Sequence, residues 1–190
     1  TATTALRLRL RLEQPPFPMT AVQRQLLVDE RQESLYVDGA GDEPRRLTVR
    51  LGPTTTDFEP LDGERKTVDV AGRPATFAAD RAGRGTVTVL RWRTADGLWL
   101  QVVGAADEAE AVRIAASVRT DGAYRCVVPF RLGEAAAGMT AESCLMAFDA
   151  DGVSASLLSV SDGAFHLLFD TFRRGPGNRV DGRPAQETQH

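Results

Sequence analysis

The sequence predicts an α+β fold made mainly of antiparallel β-sheet meanders, with one firm helix and two related copies, the second incomplete. Three observations lead to this prediction: short stretches alternate between apolar and polar residues, the dipeptide Asp-Gly occurs seven times, and two sequence landmarks recur. A period of two places one side of a strand on a core. Asp-Gly favours the tight turns of β-hairpins.

The two landmarks define a long internal repeat. The tripeptide Met-Thr-Ala at 19–21 returns at 139–141, and Gly-Arg-Pro-Ala at 72–75 returns at 182–185. A repeat of this length indicates two related domains rather than a solenoid, whose period is ~20–50 residues. We therefore expect 1–121 to form the first copy, with a Trp-rich hairpin and a helix. Residues 122–190 are expected to form a second, truncated copy.

The relation between the copies follows from the chain that joins them. The connection 120–124 is too short to act as a free tether, so we expect the copies to share an interface. The second copy stops before the hairpin and helix that close the sheet of the first. Its terminal strand near 184–186 is therefore expected to be an open edge, or to pair with the first copy or a second molecule, which would give an oligomer.

Alternating stretches give the strand candidates. In the first copy they are 5–12, 22–29, 34–37, 46–51, 66–70, 75–79, 86–93 and 98–103, and in the second 125–132, 143–148, 154–159 and 165–171. One face of the first strand, and the matching face of its counterpart, is apolar: Leu6, Leu8, Leu10 and Leu12, then Cys126, Val128, Phe130 and Leu132. We expect this face to lie on a core.

One segment, from Asp107 to about Arg119, has the pattern of a helix. Asp107 can cap its N-terminus, with Glu110 three residues later as in a capping box. A buried stripe is predicted at Ala111, Ile114, Ala115 and Val118.

The Trp-rich hairpin is predicted to turn at Asp96-Gly97, through either a two-residue loop or a four-residue loop at 94–97. Both loops have an even number of residues, so both place Trp92 and Trp99 on the same face. The opposite face then carries Val87, Val89, Leu98, Leu100 and Val102. We expect the helix to cover the Trp face.

Composition and charge limit the classes of function that the protein can have. With 190 residues, 42% hydrophobic and 26% charged, the chain is an ordinary globular protein. A net charge of −3 argues against a nucleic-acid binder, which usually has a basic face. No constellation for catalysis, a cofactor or a metal emerges: His166 has no identifiable nucleophile partner, and 149–152 lacks the ligand pattern of a calcium loop.

Two residue sets remain as candidate sites. Cys126 and Cys144 are the only cysteines, and either buried free thiols or a disulfide fits their apolar positions; export would favour the disulfide. Arg7, Arg9 and Arg11 form a cationic face on the first strand. That face is either a solvated surface that discourages aggregation or a ladder for an anionic lipid or polymer.

Several short motifs between residues 68 and 118 are similar to those of a known group of proteins. They are the Val-Asp-Val-Ala-Gly-Arg-Pro-Ala-Thr strand, Leu-Arg-Trp at 90–92, Asp-Gly-Leu-Trp-Leu at 96–100, and a helix from Asp-Glu-Ala at 107–109 to Ile-Ala at 114–115. This order resembles extracytoplasmic domains of uncharacterised actinobacterial membrane-anchored proteins, of anti-sigma-factor-like or lipoprotein-like architecture. The resemblance implies an extracytoplasmic, membrane-tethered location rather than a particular activity.

Three function classes follow. The first is a non-enzymatic extracytoplasmic interaction or sensing module of a membrane-anchored protein, with a protein partner. The second is a carrier for a lipid or another hydrophobic ligand, which an unfilled apolar pocket would favour. The third is an enzyme, which would need a cleft that gathers His166 with carboxylates or Ser.

Overall fold

The computed structural model describes residues 6–40, 45–80, 86–126, 138–150, 152–162, 166–172, 179–180 and 183–184. Within these ranges the protein is mostly antiparallel β-sheet with one helix, so the predicted α+β class is confirmed. Residues 127–132 of one predicted strand lie outside the described ranges.

Every predicted strand overlaps a strand of the structure within the described residues. In chain order the elements are β1 (Arg7–Leu8), β2 (Arg11–Leu12), β3 (Met19–Leu27), β4 (Gln32–Gly39), β5 (Arg46–Gly52), β6 (Glu64–Val70), β7 (Arg73–Asp80), β8 (Val87–Arg93), β9 (Trp99–Val103), α1 (Glu108–Ser117), β10 (Val118–Arg119), β11 (Tyr124–Arg125), β12 (Thr140–Asp149), β13 (Gly152–Ser161), β14 (His166–Phe172), β15 (Arg179–Val180) and β16 (Arg183–Pro184).

Ten of the described strands form one antiparallel sheet, in the order β14-β13-β12-β3-β4-β5-β9-β8-β7-β6. At its centre β3 pairs with β12, from Val22 opposite Phe148 to Leu27 opposite Ser143. This pairing joins residues from both sides of the 120–124 connection in the same sheet. In the described part of the chain, β14 and β6 are its outer strands.

One face of the sheet, which we call the inner face, carries the core in two clusters. The first cluster contains buried residues of β4 to β9, α1 and the N-terminal segment, all between Leu10 and Val118. The second lies under β12 and β13 and consists of Leu6, Leu8, Cys126, Cys144, Met146, Leu158 and Val160. The prediction that Leu6, Leu8 and Leu10 face a core is confirmed, because all three are buried.

Helix α1 packs on the inner face against β6, β8 and β9. Asp107 caps it as predicted, and its carboxylate accepts the Glu110 N–H at 2.8 Å. The Glu110 carboxylate accepts the Ala106 N–H instead of that of the cap residue. The predicted apolar stripe is buried, and Lys66 of β6 forms an ion pair with Glu108. The chain leaves the helix at Val118, where β10 begins.

The N-terminal segment crosses the inner face in two short pairings, β1 with β11 and β2 with β10. Between them the backbone at Arg9 and Leu10 lies outside both strands. The buried Glu33 carboxylate accepts both amide N–H groups at 2.7 Å, and an Arg24 guanidinium N–H donates to the Leu10 carbonyl. Two side chains of the sheet thus satisfy backbone groups that would otherwise be buried without partners.

The Trp-rich hairpin turns through an odd number of residues, so the predicted faces are wrong. Thr94 pairs with Leu98 through backbone and hydroxyl hydrogen bonds, which leaves the three-residue loop 95–97, with Gly97 at φ +82°. Such loops need a residue with positive φ in the last position. Trp92 consequently pairs with Leu100 on the inner face, whereas Trp99 pairs with Arg93 on the opposite, outer face.

The Asp-Gly pair at 96–97 lies in a hairpin turn as predicted, but the pair at 38–39 does not. Asp38 and Gly39 end strand β4, where Asp38 forms an ion pair with Arg46. A two-residue hairpin turn with both φ values positive occurs between β6 and β7, at Ala71 and Gly72. Because Ala seldom adopts positive φ, propensity did not indicate this turn.

Candidate binding surface on the outer face of the sheet

A row of polar side chains crosses the outer face on neighbouring strands: Arg50 of β5 lies opposite Gln101 of β9, which lies opposite Arg91 of β8. Gln101 is fully buried beneath the loop between β5 and β6. Its amide accepts the Glu59 N–H at 2.9 Å and donates to the Glu59 carbonyl at 2.7 Å. Gln101 therefore fixes this loop on the sheet.

The two arginines of the row hold the same loop through backbone carbonyls. Arg50 donates to the Asp57 carbonyl at 2.9 Å, and Arg91 donates to the Glu59 carbonyl at 2.6 Å. Their Nε atoms are buried and have no hydrogen-bond partner among the described residues. Burial lowers the pKa of Arg91, and the positive charge of Arg65 lowers it further. Positive charge therefore accumulates in this row.

Beside this row the hairpin forms an open depression of about 580 Å³, which we call the Trp99 depression. It is lined by Arg73, Pro74, Thr76, Arg91, Trp92, Arg93, Thr94, Ala95 and Trp99. The guanidinium of the exposed Arg93 lies 5.1 Å from the centre of the half-buried Trp99 ring. This described lining contains three arginines and no carboxylate.

Two acidic residues stand near the depression: Asp69 of β6 lies opposite Pro74 of the lining, and Asp96 lies at the tip of the hairpin. Asp96 is exposed, and a hydrogen bond from Thr94 is the main cause that lowers its pKa, with smaller contributions from Arg9 and Arg73. Asp96 lies in the loop and does not line the depression.

Sequence reasoning missed this surface because it assumed a hairpin loop with an even number of residues. That assumption placed Trp99 beside Trp92 in the core and separated it from Arg91 and Arg93. An odd loop ending in Gly97 was the signal that would have revealed the surface, since Gly is favoured at the left-handed position of three-residue loops.

The predicted cationic face on the first strand is less uniform than its spacing indicated. Arg7 is exposed, whereas Arg11 forms ion pairs with Asp121 and Glu13. A hydrogen bond from Arg11 is the main cause that lowers the pKa of Asp121. The structure does not bring Arg7, Arg9 and Arg11 into the Trp99 depression. A role of this face in binding an anionic lipid or polymer stays a prediction.

The two cysteines meet in the second core cluster. Their sulfur atoms are bonded, and their Cα atoms lie 6.3 Å apart. The bond joins the segment that follows β11 to strand β12, and so ties the covering layer to the sheet. Both residues are buried.

The remaining candidate chemistry is limited. The backbone of His166 lies in β14, and its side chain is outside the described part of the structure. Within the described ranges, no group of three or more His, Cys, Asp or Glu residues is arranged to hold a metal ion. The same ranges contain no helix with the length and apolar character needed to cross a membrane.

Comparisons with protein families, curated proteins and solved structures found no match to this chain.

Proposed function

We propose that this protein is a non-enzymatic interaction or sensing module that works outside the cytoplasm as part of a membrane-anchored protein. The Cys126–Cys144 disulfide carries the proposal. Disulfides persist in oxidising compartments and are rare where glutathione and thioredoxin keep thiols reduced. The resemblance of residues 68–118 to extracytoplasmic domains supports the membrane-anchored part of the proposal.

The Trp99 depression supports a binding role for this module. Its lining supplies cationic and aromatic surface on three neighbouring strands, and a loop fixed by Gln101 flanks it. Arginine and tryptophan are enriched where proteins bind their partners. A lipid carrier needs an enclosed apolar cavity, whereas the Trp99 depression is open, so the geometry favours the interaction module over the lipid carrier.

The location is tested by the redox state of the cysteines in the native cells. Cells are quenched with acid, thiols are blocked with N-ethylmaleimide before lysis, and the protein is then analysed by mass spectrometry from washed membranes and from the soluble fraction. We expect an unmodified, oxidised pair in the membrane fraction. Two blocked thiols, or recovery of the protein in the cytoplasmic fraction, would contradict the proposal.

We also propose that the two halves of the sheet are related copies arranged about a local twofold axis. Two pairings support this. Gln25 pairs with Leu145, and the Cys126 N–H donates to the Leu6 carbonyl; each pair is separated by 120 residues, like the Met-Thr-Ala landmarks. Where a twofold axis relates two antiparallel strands, the residue at the axis lies opposite its own counterpart in the other strand.

The neighbouring strands support the same relation. Outward from the axis, β4 and β5 follow β3 as β13 and β14 follow β12. In the pairing of β6 with β7, Val70 lies opposite Arg73. In the pairing of β15 with β16, Val180 lies opposite Arg183. Each residue of the second pair comes 110 positions after its counterpart in the first. This offset equals that of the Gly-Arg-Pro-Ala landmarks.

The twofold relation can be tested by moving the disulfide. The counterparts of Cys126 and Cys144 are Leu6 and Arg24, which should approach each other as the cysteines do. In a Cys126→Ala, Cys144→Ala background, Leu6→Cys together with Arg24→Cys should form a disulfide, with no thiol reactive after denaturation. Arg24→Cys alone is the control, with one reactive thiol. Two reactive thiols in the double replacement would exclude the relation.

A further inference from the structure

We infer that the Trp99 depression binds a ligand that carries a carboxylate or phosphate group beside a flat apolar part. The inference rests on the proposed function as a binding module, and it names the chemistry of the ligand. It follows from the charge, the aromatic surface and the rigidity of the depression.

The charge selects an anion. Arg73, Arg91 and Arg93 all line the depression, and its described lining has no carboxylate to neutralise them. Arg91 makes its described hydrogen bond to an uncharged carbonyl. Guanidinium groups bind carboxylates and phosphates through paired, charge-assisted hydrogen bonds. An anionic group in the depression would therefore complement the charge of these side chains.

The aromatic surface selects the rest of the ligand. Trp99 is half-buried, and it lies on the outer face because of the odd hairpin loop. The indole gives the depression an apolar wall next to the Arg93 guanidinium, 5.1 Å from the ring centre. A flat apolar group can pack against such a ring while its acidic substituent reaches the arginines.

The depression is preformed on strands rather than on a free loop. Arg91 and Arg93 lie on β8 and Trp99 on β9, and residues 91, 93 and 99 are all within the paired region of this hairpin. Sites built on strands hold their side chains more rigidly than sites built on loops, and less conformational entropy is lost on binding.

Binding can be followed by tryptophan fluorescence, since both tryptophans of the chain, Trp92 and Trp99, line the depression. The probes are phenyl phosphate and benzoate, which combine an anion with a ring, inorganic phosphate, which has the anion alone, and benzyl alcohol, which has the ring alone. We expect phenyl phosphate or benzoate to change the fluorescence saturably, and the stronger of the two to identify the preferred oxyanion. Inorganic phosphate and benzyl alcohol should each bind at least about tenfold more weakly than the stronger of the two aromatic anions.

Two matched charge replacements test the location. Arg93→Gln removes an exposed guanidinium from the depression, and Arg113→Gln removes an equally charged, exposed side chain from α1 on the inner face. We expect Arg93→Gln to weaken binding about tenfold, as for the loss of one charge-assisted hydrogen bond, and Arg113→Gln to leave it unchanged. The urea midpoints of both variants should stay close to that of the parent, which shows that both remain folded.

Two results would overturn the inference: no saturable response to either aromatic anion, or equal weakening by Arg93→Gln and Arg113→Gln. The second would mean that net charge alone attracts the probes. Either result would leave the proposed function in place if the cysteines are oxidised in the membrane fraction. Reduced cytoplasmic cysteines would instead contradict the proposed function, whatever the probes do.

Discussion

At the scale of single residues, Glu33 shows how a buried charge can replace a missing strand. The first N-terminal pairing stops at Leu8 and the next starts at Arg11, so the backbone between them needs other partners. Burial raises the pKa of Glu33. The hydrogen bonds from the Arg9 and Leu10 N–H groups and the charge of Arg24 lower this pKa, but do not cancel the effect of burial. The carboxylate is thus costly to bury and is retained by its hydrogen bonds.

Replacing Glu33 with Gln should destabilise the protein by about 1–3 kcal/mol, because the amide NH2 group cannot accept a hydrogen bond from a buried N–H, whereas both oxygens of Glu33 can. The pH dependence should change too. A raised pKa in the folded state means that the contribution of Glu33 is fully present below its ordinary pKa and is lost as the pH rises through the folded value. The difference in unfolding free energy between parent and variant, measured in urea, should therefore shrink over this window. A constant difference would contradict the prediction.

The disulfide gives a second prediction at this scale. It closes a sequence separation of 18 residues, for which a cross-link typically contributes about 2–4 kcal/mol. Dithiothreitol should lower the free energy of unfolding by this amount. The Cys126→Ala, Cys144→Ala variant is the control, since reductant should not affect its stability. Equal stability of the parent with and without reductant would contradict a bond in solution.

At the scale of elements, the β8–β9 hairpin is decided by the number of residues in its loop. A change of one residue inverts the faces of everything beyond the turn, because side chains alternate along a strand. The same hairpin therefore places Trp92 in the core and Trp99 on the outer face. The first strengthens the fold, and the second creates the depression.

This division predicts unequal effects of two identical replacements. Trp92 is 5% exposed and packs in the first cluster, so Trp92→Ala should cost about 3–5 kcal/mol. Trp99→Ala removes a half-buried ring and its contact with Arg93, and should cost about 1 kcal/mol or less. Urea unfolding followed by circular dichroism measures both, since one tryptophan is lost in each variant. Similar costs would mean that both rings belong to the core.

At the scale of the whole molecule, the two core clusters depend differently on the halves of the chain. The buried members of the first cluster all lie between Leu10 and Val118. The second cluster needs Leu6 and Leu8 from the first half to cover strands β12 and β13 of the second. Strand β12 also pairs with β3. The second half therefore depends on the first half for a strand partner and for part of its core.

Because the second cluster contains residues of both halves, we expect the separated halves to behave differently. Residues 1–121 contain the first cluster complete and should remain folded, with a cooperative urea transition. Residues 122–190 should be unfolded alone, because their apolar face would meet water. Circular dichroism and the dispersion of amide NMR signals distinguish the two states. A stable, folded 122–190 monomer would show that the second unit has been delimited wrongly.

The sequence by itself determined the local elements. Periodicity found the strands, and the capping pair at Asp107 and Glu110 found the helix, because these signals depend on residues close together in the chain. The buried stripe of the helix was equally visible.

Only the tertiary structure decided what faces what. The side on which Trp99 lies depends on one residue of loop length, the pairing of β3 with β12 joins residues 120 positions apart, and Glu33 finds its partners at Arg9 and Leu10. Each depends on a contact between distant segments, whose free energy is not contained in any local stretch of the chain. The candidate site was missed for this reason: its residues become neighbours only when the hairpin register and the loop over Gln101 are both in place.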